Sequence, residues 1–172
     1  MSDLNKIIDA NERYMLPGIT PQAVSGALVS NYFSMKNYRH AKIHIIVGNA
    51  ITGTCAVTIN RAKTVAGGDA ETWTLWDTVY VNANVSASNG EDASETKAYT
   101  KTAVSSYTKT FSTVNTDWII ELDAIELDPE GAGWDCFAVA LAAGLTTTPV
   151  CVLVELSDAR FKGDMPPDAR TN

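Results

Sequence analysis

Between Trp118 and Ala124 the chain alternates: Trp118, Ile120, Leu122 and Ala124 share one parity, and Ile119, Glu121 and Asp123 share the other. That period of two is the signature of a half-buried strand with one dry face and one mostly wet face. Ile125 to Asp135 then carries Glu126, Asp128, Pro129, Glu130, Gly131, Gly133 and Asp135, turn formers and carboxylates that must stay hydrated. The chain turns there. In Cys136 to Leu141, small residues fill one parity and Phe137, Val139 and Leu141 the other, so both faces are apolar and the strand belongs in the middle of a sheet.

The same alternation recurs along the chain. Lys42 to Val47 turns Ile43, Ile45 and Val47 inward, Gly48 to Gly53 makes a turn, and Thr54 to Asn60 returns with Cys55, Val57 and Ile59 inside, which predicts a hairpin. Strands are also expected within Val24 to Met35, in Thr72 to Val81 as one strand or a bent strand pair, and in Pro149 to Leu156, where Val150, Val152, Val154 and Leu156 share one parity. Residues 82–95 read as a long exposed loop, and 96–116 as one or two solvent-facing strands anchored by Tyr99, Val104, Tyr107 and Phe111. Before the first strand, Leu4 to Tyr14 is a short helix candidate, and Pro17-Gly18 with Pro21 breaks regular structure. These elements predict an all-β single domain, an antiparallel β-sandwich of jelly-roll type over residues 23–160. An N-terminal arm at 1–22 and a C-terminal tail at 161–172 flank it.

A chain of 172 residues supports one core, and a net charge of -7 with 19% charged residues leaves a surface of Thr, Ser, Asn and Ala. No Lys/Arg cluster forms the basic stripe that nucleic-acid binding requires. The longest apolar run, Phe137 to Ala143, is far short of the roughly 20 residues of a membrane span. With no charged and apolar leader visible at its start, the chain is expected to be soluble and not exported by a classical signal. Cys55, Cys136 and Cys151 fit reduced core thiols, the alternative being a Cys136–Cys151 bridge between neighbouring strands.

Candidate chemistry is sparse. His40 and His44 lack nearby Cys or carboxylate partners in sequence and read as surface histidines. No nucleophile elbow, phosphate loop or zinc-protease motif is present, so no catalytic residue is assigned and an enzyme is not expected. Asp128, Glu130 and Asp135 in the glycine-rich acidic turn form the one candidate for a hard cation, weighed against a plain solvated turn, and no cofactor is expected. Of Trp73, Trp76, Trp118 and Trp134, the first and third carry core parity. Trp76 and Trp134 remain candidates for a sugar-stacking or protein-contact surface.

Several stretches together resemble the small β-sandwich structural proteins of tailed bacteriophages known as capsid decoration or cement proteins. They are Tyr38 to Gly48, Ala50 to Thr54, Trp118 to Asp123, Gly133 to Phe137 and Leu156 to Phe161, and the likeness spans about residues 30–162. The resemblance implies a non-enzymatic virion protein on the capsid surface. Its partners would be the major capsid protein and sister copies of itself, expected as a trimer. Extended chain ends suit such contacts, because they bury much surface per residue and are ordered only on binding. Tyr14, Leu16, Pro17, Ile19 and Pro21 in the N-terminal arm, and Phe161, Pro166 and Pro167 in the tail, are therefore the expected capsid or subunit contacts. The alternative is a carbohydrate- or receptor-binding module of a phage tail or fibre.

Overall fold

The computed structural model describes residues 13–24, 26–48, 54–74, 78–85, 100–103, 107–110, 115–142 and 148–159. The described residues form twelve strands and one short helix: β1 (Arg13–Val24), β2 (Leu28–Val29), β3 (Phe33–Ser34), β4 (Tyr38–Val47), β5 (Thr54–Ala62), β6 (Glu71–Trp73), β7 (Thr78–Val85), β8 (Thr100–Ala103), β9 (Tyr107–Thr110), β10 (Asn115–Asp123), α1 (Ala124–Leu127), β11 (Cys136–Leu141) and β12 (Thr148–Ala159).

One sheet has the order β1-β12-β4-β10-β7-β8. In the other, β2 and β3 share one edge of β11, while β5 lies on its far side and is itself flanked by β6 and β9. The chain crosses between the sheets from β1 to β2, from β3 to β4, from β4 to β5, from β6 to β7, from β8 to β9 and again at β9–β10, β10–β11 and β11–β12. Every pairing is antiparallel. This is the strand order of a jelly roll, with β6, β7 and β8 inserted between β5 and β9.

The inward parities meet in one core. Ile43, Ile45 and Val47 of β4, Trp118, Ile120 and Leu122 of β10, and Val150, Val152, Val154 and Leu156 of β12 pack against Phe33, Val57, Ile59, Trp73, Phe137, Val139 and Leu141 of the second sheet. Each such side chain contributes about 1.5–3 kcal/mol of burial. The helix α1 adds Leu127 to this core while Ile125 points to solvent.

The strand β11 is central and buried on both faces, as its sequence implies. Four features differ from expectation. Ile43, Ile45 and Val47 of β4 and Val57 and Ile59 of β5 point inward as anticipated, but the two strands do not pair and belong to opposite sheets, because alternation specifies a face and not a partner. The segment 72–81 likewise divides into β6 and β7 on different sheets. Residues 82–85, expected in a loop, extend β7.

The fourth difference concerns the N-terminal arm. Residues 13–22, expected to be free because of their prolines, lie in β1 and pair with β12. Leu16 stands opposite Val154 and Ile19 opposite Val152, three residues on β1 against two on β12. This bulge keeps both side chains inward, at 3% and 5% exposure. Pro17 is tolerated because β1 is an edge strand. Beside it, a Cβ on Gly18 would stand 3.1 Å from Val152 Cγ1, a contact too tight for comfort. The helix candidate at 4–14 lies outside the described residues apart from its last two, which begin β1.

Candidate functional site

The side chains that face away from the core on the six-stranded sheet form rows running across the strands. Hydrogen-bonding register places Ser157 beside His40 and His40 beside Asp123; then Glu155, Lys42 and Glu121; then Leu153, His44, Ile119 and Tyr80; then Cys151, Ile46 and Asp117. On the edge strand, Met15 continues the second row and Pro17 the third.

The face is graded. At one end it is ionic, with Lys42 Nζ 3.4 Å from Glu121 Oε1 and His40 Nδ1 3.1 Å from Asp123 Oδ1. Toward the middle it is more apolar, with Leu153, Ile119 and Tyr80 half-buried beside His44; the far row sets half-buried Cys151 and Ile46, 44% exposed, beside Asp117, and Met15, 59% exposed, flanks the ionic row. An outward face covered only by water would carry polar residues at these positions. That mismatch was present in the sequence, in Ile46 and Ile119 on the wet parity of their strands. It became a surface only once β12, β4, β10 and β7 were seen to lie side by side.

The residues singled out from sequence fall elsewhere. Among the expected N-terminal contacts, Leu16 and Ile19 are core residues and Tyr14 is half-buried against the core, so these three are not free to reach a partner. Pro17 and Pro21 are exposed on β1. Phe161, Pro166 and Pro167 lie outside the described residues.

The acidic turn does not gather a cation site. Asp128 Oδ1 accepts from the Ala132 amide at 2.8 Å and Oδ2 from the Gly133 amide at 2.9 Å, so the carboxylate closes its own turn. Asp135 Oδ1 accepts from the Cys136 thiol at 3.1 Å. Asp128, Glu130 and Asp135 do not converge as a group that could hold a metal ion.

Trp73 and Trp118 are core residues, as their parity implies. Trp134 is half-buried, and its ring carries the Arg61 guanidinium at 4.7 Å and the Lys63 ammonium at 5.1 Å from its centroid. It is engaged by two cations rather than offered bare for stacking on a sugar. Trp76 lies outside the described residues. Cys136 is a buried, reduced thiol, whereas Cys151 sits on the outer face of the other sheet, which rules out the bridge considered between them. Burial pushes the Cys151 thiol above its ordinary pKa. The side chain of Cys55 is not among the described groups.

No family model and no curated protein matches the chain. Among solved structures it is similar to the SPBc2 prophage-derived protein YomS, at 12% identity and a TM-score of 0.46, over 86% of this chain and 94% of that one. It is also similar to the N-terminal cellulose-binding domain of Cellulomonas fimi β-1,4-glucanase C, at 12% identity and a TM-score of 0.26, over 88% and 81%. Superpositions at these scores carry no inference about binding or activity.

Proposed function

We propose that the protein is a non-enzymatic structural protein of a phage virion, made in the host cytoplasm and mounted in several copies on the outer surface of the capsid shell, which it strengthens. The observation that supports this most is the broad outer face of the six-stranded sheet, with an apolar middle and ionic groups at one end. Small-molecule sites are concave and enclosed. An open face with an apolar centre and polar margin has the anatomy of a protein contact. The face suits assembly in several copies; that the assembly sits on a capsid shell comes from the resemblance of the strand segments to capsid decoration proteins.

The test is co-sedimentation of the purified protein with expanded capsid shells that lack it, followed by heating of the decorated shells. Saturation at a fixed ratio, with a higher disruption temperature, is the expected result. A protein that ignores the shells at micromolar concentration overturns the proposal.

A further inference from the structure

We infer that the outer face of the six-stranded sheet is a homotypic interface, on which a second copy of this chain docks about a two-fold axis running along the strands between β12 and β4. The inference rests on the multi-copy assembly proposed above and names the occupant of this face, which leaves other surfaces for the shell.

The reason is self-complementarity. A two-fold contact brings the same patch together from both copies, so each residue must suit its symmetry partner. Rotation about an axis in the plane of the face, parallel to the strands and between β12 and β4, keeps every row in place and exchanges the two strands. Glu155 then lies over Lys42 of the second copy, and Lys42 over that copy's Glu155. The two pairs form a closed square of alternating charge, because Glu155 and Lys42 already stand side by side within one sheet. One row along, Leu153 covers His44. In the next row Cys151 covers the exposed Ile46. On the flanks, Ile119 of β10 lies over Pro17 of β1. Opposite charges meet at the axis, where the crossing of about 30° between aligned packed sheets displaces residues least. Beside them Leu153 meets the His44 ring and Cys151 meets Ile46, while on the flank of the second row Glu121 lies over Met15.

Size and edges agree. Four strands at about 4.8 Å spacing and four rows at about 6.8 Å cover roughly 520 Å² per copy. Twice that just clears the roughly 1,000 Å² in total expected of a biological interface. Edge-to-edge pairing through β1 is blocked by Pro17 and Pro21, which offer no amide hydrogen, and by two register shifts. A trimer, the state expected from the family resemblance, would set unlike patches together and leave the charge square open.

The deciding experiment is sedimentation equilibrium of the full chain across nanomolar to micromolar concentration, alongside Lys42→Glu, Glu155→Lys, the double swap and Ile46→Lys. The expected result is a discrete dimer, weakened at least 100-fold by Lys42→Glu and by Ile46→Lys, and largely restored when the double swap also carries Glu121→Gln, which removes the carboxylate that Lys42→Glu would otherwise face. Ile46 is exposed, so Ile46→Lys keeps the test open if a charge variant fails to fold. A monomer at all concentrations, a trimer, or a dimer indifferent to these changes overturns the inference. Co-sedimentation with shells separates the two proposals: a monomer that decorates shells sinks only the interface, and a dimer that ignores them sinks only the capsid role.

Discussion

The Arg61 guanidinium lies 4.7 Å from the centroid of the Trp134 ring while its Nη2 stands 2.6 Å from Glu71 Oε1. The same side chain donates from Nε to Glu71 at 2.7 Å and from Nη1 to the Leu127 carbonyl at 3.0 Å, with only 17% of its side chain exposed. One residue of β5 thus ties together β6, the end of α1 and the loop before β11.

Arg61→Ala is expected to cost about 2 kcal/mol, since hydrogen bonds to a charged group that is mostly removed from water are worth about 1.5–3 kcal/mol and Glu71 stays hydrated. Arg61→Lys keeps the charge but loses the planar fork, so only a fraction is recovered. Urea unfolding followed by tryptophan fluorescence checks both. A loss below about 0.5 kcal/mol in Arg61→Ala would show the cluster to be a surface ornament.

The strand β1 makes a second prediction. Leu16→Ala and Ile19→Ala should each cost about 2–4 kcal/mol, as truncations in a packed core do, whereas Thr20→Ala, at an exposed position between them and Pro21, should stay within about 0.5 kcal/mol. Thermal or urea denaturation decides it. If 13–22 behaved as a detachable arm, all three variants would unfold alike.

That strand also shows where sequence reasoning reaches and where it stops. Trp118, Ile120 and Leu122, or Phe137 and Val139, announce their burial because period-two alternation is a local property of an unbroken strand. In β1 the alternation is interrupted by a bulge that only β12 explains, and the prolines that look like breakers are permitted by an edge position that no local pattern encodes. Pairing is likewise nonlocal: β4 and β5 are adjacent in sequence and on opposite sheets. The outer face was half legible, since Ile46, Ile119 and Leu153 broke the polar parity of three strands, but their neighbourhood depends on a register spanning more than one hundred residues.

The acidic turn should be indifferent to cations. Both Asp128 oxygens are taken by amides of the turn it closes, so millimolar calcium or EDTA is expected to leave the melting temperature unchanged. Asp128→Ala should cost about 1–2 kcal/mol by orphaning those amides. Gly133→Ala should cost about 1 kcal/mol, because φ there is 90° and open space around the position removes any other reason for glycine. Calorimetry of the three samples measures all of this, and a calcium-dependent rise in melting temperature would reinstate the cation site.

Cys151 gives the pH dependence. Burial raises its pKa above the ordinary 9.0 by disfavouring the thiolate, so the folded chain holds this proton to higher pH than the unfolded chain does. The sign follows: its contribution to stability is complete below the unfolded pKa and is lost as pH rises from about 9 through the folded value. The thiolate is also the reactive species, so alkylation by iodoacetamide at pH 8 should be slower than for an unfolded control, with its pH midpoint displaced upward. Cys151→Ser should flatten the alkaline fall in stability relative to the unmodified chain, a difference that cancels the titration of tyrosines and lysines common to both. Peptide mapping of the alkylated protein and paired melts at pH 7, 9 and 10 provide the readout. An alkylation midpoint at or below that of the unfolded chain would place Cys151 in water and remove it from the half-buried outer face.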